Sequence, residues 1–340
     1  ARGYAVTLYD PEPPGSMTSS GNAGGFGFTD VMPMAAPGLV WRVPRWLLDP
    51  CGPLFIRPGH LPSLLPWLVR FQAMSNRKQV ERLSAALSTL LRQSMIDTRE
   101  LVASAGLESI FTENGAITVY KTRAAFARDE LEWRTKIDCG VDARELGVEQ
   151  IRSMEPDLEN ARYGWFTPQW CNTTDPQGFV TRLWEYFVER GGDVVDSRVA
   201  GFNRSDRRVH SLTMEGGQSV DVSSVVIAAG AWSGRLCSQL GERVLMESER
   251  GYNTTLPNPG VQIGHEIIFG EEKFVITAVG NGLRIGGAAE FAGLDTPPNY
   301  SRSEKLVEIA RRYLPGLDDS RGEKWMGHRP STPDSLPVIG

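Results

Sequence analysis

The sequence predicts a mixed α/β (α+β) fold in which a Rossmann-like βαβ domain is interwoven with an antiparallel-sheet domain. Three observations predict it. The chain opens on a buried strand that ends in an acid, within "YAVTLYD" (4–10). Helix gives way to strand over 176–202, and strand gives way to helix near 225–233, as in a parallel sheet. Over 244–291 strands follow one another with no helix between them, as in an antiparallel sheet.

Taken in order, the first ten residues give a strand at Tyr4–Tyr9, and 11–60 is a Pro- and Gly-rich irregular loop of functional length. Apolar residues recur at helical spacing over 61–75 and 77–106, with Gly106 as the stop. A strand "GAITVY" and a helix "TRAAFARDELEWRTKI" follow. Helix 176–189 ends at Gly191-Gly192 and a strand succeeds it. A hairpin turns at Glu215-Gly216-Gly217, and an apolar strand is expected at Val225–Ala229. "EIIFG", "KFVITAV" and "GLRIGGAAEF" read as strands, and "SEKLVEIARRYL" as a last helix ending before Pro315.

The 340 residues suffice for one large core or two ordinary ones. Net charge is −5 and no basic block occurs, which argues against nucleic acid as a partner. "LPSLLPWLVRF" is too short to span a bilayer. Cys51, Cys139, Cys171 and Cys237 form no CxxC pair and the four histidines are scattered, so no metal site is expected and the thiols are read as reduced.

Four segments carry chemistry. Asp10, at the end of its strand, suits a ribose diol, although an Asp after a strand is more often a turn former. In a βαβ unit the Gly-rich turn lies ~20 residues ahead of that acid, so the chain is expected to be cut inside the first helix of such a unit. "TSSGNAGG" (18–25) offers backbone N–H groups and close approach to a phosphate or flavin, or is a flexible polar loop. "VVIAAGAWS" (225–233) lets a ligand lie across a strand end, or is an ordinary strand-to-helix turn. In "GHRPSTPDSLPVIG", Arg329 is held in a Pro-rich frame. It clamps a ligand carboxylate, or caps a structural one.

These segments, with "GYAVTLYDPEP", "AAPGLVWRVPRWLLDPCGPLFIRP", "RGYNTTLP" and "RIGGAAEF", extend over the whole chain. In this order they resemble the FAD-dependent D-amino-acid oxidoreductases, nearest to their bacterial dehydrogenase branch. The resemblance implies an FAD-binding domain of 1–60, 155–235 and 325–340. A substrate or cap domain would comprise 61–154 and 236–324. It places Asp10 on the adenosine ribose and Val199 on the adenine. Ser19, Ser20, Asn22, Ala23, Gly24 and Gly25 would line pyrophosphate and flavin, and Ala229, Gly230 and Trp232 would border the ribityl path. Arg329 would grip the substrate carboxylate, with Tyr252 as a substrate-side contact or a core tyrosine. A Gly-rich turn ahead of Ala1 and a strand beyond "PVIG" are also implied, and without them FAD binding is expected to be weak.

The implied activity is oxidative deamination of a D-amino acid to a 2-oxo acid and ammonia. Hydride passes from Cα to flavin N5, and electrons go to a respiratory quinone or carrier. Glycine, sarcosine or D-hydroxyproline as substrate, and a non-catalytic flavin-fold subunit, are the alternatives. Trp41, Trp46 and Trp67 would touch a membrane surface or pack internally. The expected location is the cytoplasm, or the inner face of the plasma membrane.

Overall fold

The computed structural model describes residues 3–35, 37–38, 48, 52–206 and 208–340. Its centre is a large mixed sheet. From one edge the strands run Glu323–Ser331, Glu247–Leu256, Gly282–Phe291, Phe274–Val279, Glu266–Phe269, Ala116–Tyr120, Tyr163–Thr167 and Arg144–Gly147. Leu54–Ile56 adds in parallel to the end of Gly282–Phe291. Three smaller sheets surround it: a parallel pair, Thr7–Asp10 with Asp193–Asp196; an antiparallel set, Val199–Ser205, Arg208–Met214 and Ser219–Asp221; and the short strands Gly25–Phe26, Cys171–Thr173 and Phe111–Thr112.

Helix Ser301–Ala310 covers one face of the large sheet. Leu306, Val307 and Ala310 recur at helical spacing and pack on Leu283, Ile285, Ile276 and Phe274. Helix Arg77–Ala105 starts where the Asn76 side chain accepts from Gln79 N at 3.1 Å, and stops at Gly106, whose φ of 66° a side chain would resist. Its last turn shares a cluster with Phe179, on helix Pro176–Glu189, and Phe26. That cluster fixes the end of the Gly-rich loop.

Several expected elements differ. The first strand is Thr7–Asp10, closer to its acid than Tyr4–Tyr9. The helix expected over 122–137 is two, Arg123–Arg128 and Glu130–Asp138, joined at Asp129 (φ −90°, ψ 1°). Val225–Ala229 is not a strand: no described strand lies alongside to share its hydrogen bonds, and Val226 is 89% exposed. Trp67 is buried, stacks on Phe71 and donates to the Ser331 carbonyl at 3.0 Å, so it packs internally. Trp41, Trp46 and Cys51 lie outside the described residues. Among those described, Cys139, Cys171 and Cys237 are free thiols, and no helix is long and apolar enough to cross a membrane.

Candidate functional site

Side chains alternate along the strand Glu247–Leu256. Glu249, Gly251 and Asn253 share one face, and Arg250, Tyr252 and Thr254 the other. The first face holds the Gly-rich loop and Arg329. Asn253 Nδ2 donates to the Gly21 carbonyl at 2.5 Å, and Arg284 Nη1 donates to the carbonyls of Ser20 (3.0 Å) and Asn22 (2.5 Å). The Trp325 ring covers Gly21, where a Cβ would fall 2.1 Å from Cδ2. The loop is therefore pinned, not a flexible tether.

The pinning has a chemical consequence. The loop's carbonyls face the protein's own cations and amides. Asn22 N bonds the Ser19 carbonyl, and Gly24 N bonds Asn22 Oδ1 at 2.7 Å. Among the described residues, the amides of Ser19, Ser20, Gly21 and Ala23 have no protein partner. A loop that spends its acceptors inward and keeps its donors free is suited to an anion such as a pyrophosphate. Gly24 (φ 80°) permits the turn into the Gly25–Phe26 strand; a Cβ there would meet the Thr173 carbonyl at 2.4 Å.

Arg329 stands in the edge strand Glu323–Ser331, directly opposite Glu249 in the antiparallel register. Its Nη2 lies 3.0 Å from Glu249 Oε1 and donates to the Ala288 carbonyl at 3.1 Å. Ala288 is an extra residue: Gly251 faces Ala289 and Tyr252 faces Gly287, leaving Ala288 bulged at φ 51°. Bulges re-aim groups beside sites, and here the bulge carries a carbonyl onto the guanidinium. Gly251 lets the guanidinium lie close, since a Cβ would stand 3.2–3.3 Å from Nε, Cζ and Nη2. The Arg329 side chain is 49% exposed.

Tyr252 sits on the opposite face and is buried. Its hydroxyl donates to Glu290 Oε2 and accepts from Asn299 N at 3.1 Å. Burial, first, and then Glu290 push this phenol upward, although the Asn299 amide opposes them. Arg250, also buried, pairs with Glu290 at 3.7 Å and donates to the Gly293 carbonyl at 2.9 Å. These groups form a buried strut on the face of the strand opposite Arg329.

The remaining predicted residues fall into two groups. Asp10 pairs in parallel register with Asp196, three residues before Val199, so both mark one edge. Asp10 Oδ1 accepts from Glu12 N at 3.0 Å, as a turn-former does, and the residue stays exposed. Ala229 precedes Gly230 (φ 53°), where a Cβ would meet nothing within 4 Å. Trp232 packs edge-on against His328 at 5.2 Å, and Thr18 Oγ1 donates to the His328 carbonyl at 3.2 Å. The loop and the Ala229–Trp232 turn thus flank the strand that carries Arg329.

Sequence reasoning missed Glu249, Asn253, Arg284 and Glu266. The available signal was a polar or charged residue inside an otherwise apolar strand. Glu266 is buried at the start of "EIIF", accepts from Trp170 Nε1 at 2.9 Å, and would touch a Cβ on Gly25 at 2.5 Å. Burial pushes its carboxyl up to about 7; the Trp170 N–H opposes this and Asp30 adds to it. Between the usual 4.5 and 7 the folded protein keeps a proton that the unfolded chain has released. Stability therefore falls as pH rises through that window, by about 3 kcal/mol in all. Glu266→Gln is expected to gain that amount relative to the parent between pH 4.5 and pH 8 in thermal unfolding. Parallel pH profiles for the two proteins would contradict the assignment.

Comparison with known proteins gives the family and the fold. The family profile "FAD dependent oxidoreductase" (DAO) matches residues 1–340. The chain is 34% identical over 346 residues to a D-amino-acid oxidase of Bradyrhizobium diazoefficiens, covering 99% of this chain and 82% of that protein. It is 29% identical over 357 residues to a D-amino acid dehydrogenase of Rhizobium rhizogenes, covering 99% and 83%. Glycine oxidase from Geobacillus kaustophilus has a similar fold, with a TM-score of 0.69 at 20% identity, over all of this chain and 80% of that one.

Proposed function

The chain belongs to the FAD-dependent oxidoreductase family, and on that premise we propose that it oxidises a D-amino acid to a 2-oxo acid and ammonia. The observation that carries the reading is Arg329, half-exposed on the same sheet face as a pinned loop with free amides. The relatives' names supply the substrate class.

In this reading the amides of Ser19, Ser20, Gly21 and Ala23 hold the pyrophosphate, with Asn22, Gly24 and Gly25 shaping the loop. Asp10 and Val199 take the adenosine end, and Ala229, Gly230 and Trp232 border the path between. FAD, when bound, supplies the two-electron acceptance that takes the hydride from Cα. Arg329 holds the carboxylate and so fixes which Cα–H is presented, an orientational contribution to rate. The ammonium of the bound amino acid releases a proton to water, the neutral amine then reacts, and water hydrolyses the imine. Tyr252, buried on the opposite face with Glu290, is a core tyrosine in this reading and not a substrate contact. The segments 1–60, 155–235 and 325–340 serve the cofactor; 61–154 and 236–324 serve the substrate.

We assign the electrons to a respiratory quinone or carrier, as the dehydrogenase-named relatives suggest. The test is turnover of paired D- and L-amino acids, with glycine and sarcosine, by the FAD-loaded protein. Dye or quinone reduction with D-enantiomers and no peroxide is expected. Hydrogen peroxide formed in air would move the acceptor to oxygen, in line with the oxidase-named relative. Turnover of L-enantiomers alone would overturn the substrate class.

A further inference from the structure

We infer that Glu249 is the second half of the ligand clamp, selecting with Arg329 an α-amino acid zwitterion over an α-carboxylate that lacks the amine. The inference rests on the reading of Arg329 above and extends it from the carboxylate to the amine.

Arg329 Nη2 is engaged by Glu249 Oε1 and the Ala288 carbonyl. Among the described residues, Nε and Nη1 have no partner, and neither does Glu249 Oε2. The pair therefore presents unused donors of a cation beside an unused acceptor of an anion, on one face of the sheet. An α-amino acid carries its carboxylate and its ammonium on one carbon, with the complementary arrangement of charge. Its carboxylate can take the free donors of Arg329 while its ammonium meets Glu249.

Charge balance sharpens the argument. A bare arginine in a cleft attracts any carboxylate. Here the guanidinium is already neutralised by a carboxylate whose side chain is only 12% exposed. An incoming anion meets repulsion from Glu249 in a poorly screened setting. A zwitterion brings no net charge and replaces that repulsion with an attraction. The product 2-oxo acid has lost the ammonium, so the same carboxylate that helps to hold the substrate disfavours the product. Specificity here comes from an introduced repulsion as well as from an attraction.

The competing account is that Glu249 merely holds Arg329 in place. The two accounts predict opposite signs for one substitution. The FAD-loaded Glu249→Gln protein is to be assayed with the D-amino acid it turns over fastest, and inhibited with the matching 2-oxo acid. We expect KM for the amino acid to rise about tenfold or more, and the inhibition constant of the 2-oxo acid to fall at least threefold. Glu249→Asp, which keeps the charge, should return both constants toward the parent values. If both constants rise together in the Gln protein, or neither moves, the inference is overturned. Arg329→Ala run alongside separates this from failure of the underlying reading: if that variant leaves both constants unchanged, Arg329 is not the clamp at all.

Discussion

Arg329→Ala is expected to raise KM for a D-amino acid about 10²–10³-fold while kcat falls far less. Bound substrate would cover the half-exposed guanidinium; removing one partner of a hydrogen-bonded charge pair so covered costs about 2–5 kcal/mol, and each 1.4 kcal/mol is roughly tenfold in affinity. The carboxylate does not change during the reaction, so its contact is equally strong in ground and transition states, and the loss appears in KM. Arg329→Lys should recover only a fraction, because an ammonium cannot reproduce the planar fork that spans Glu249, the Ala288 carbonyl and a ligand. A KM within twofold of the parent would remove Arg329 from this role.

Glu290→Ala is expected to lower stability by about 3–5 kcal/mol, the usual cost of leaving a buried charge without its partner. Arg250 would remain buried with its counter-charge gone, and the Tyr252 hydroxyl would lose its acceptor. For a chain of this length that corresponds to a fall in Tm of about 4–7 °C. Arg250→Met combined with Glu290→Leu should recover most of the loss, since neither charge is then stranded. Thermal unfolding of the parent and the two variants checks this. Equal losses in the single and the double variant would show that the pair is not coupled.

Much of the fold was legible because local pattern sets local structure. The helix Arg77–Ala105 was readable from its apolar spacing and Gly106, and the 208–221 hairpin from Gly216 and Gly217, both at positive φ. Val225–Ala229 misled because β-branched composition signals a strand only where a neighbouring strand shares the ladder. The bend at Asp129 left no Gly or Pro to announce it. For the site, residue type made Arg329 and the Thr18–Gly25 loop visible. Glu249 stayed hidden because its importance comes from register: the pairing of two distant strands places it opposite Arg329. Arg284 and Asn253 were likewise ordinary strand residues until the tertiary fold set the loop's carbonyls upon them. The two sequence readings of Arg329, ligand clamp and partner to a structural carboxylate, are both compatible with a guanidinium that has Glu249 on one nitrogen and two nitrogens unoccupied.

The extra residue at Ala288 also sets the parity of its strand. On either side of it, residues are counted out to opposite faces from a shifted origin. Excising Ala288 would leave a regular ladder in which Gly251 still faces Ala289 and Arg250 still faces Glu290, so both flanks keep their partners and their faces. What would go is the carbonyl that now lies on the guanidinium of Arg329. One missing alanine, chemically inert in itself, would thus spare the interior of the sheet and leave the edge-strand cation with one fewer tether.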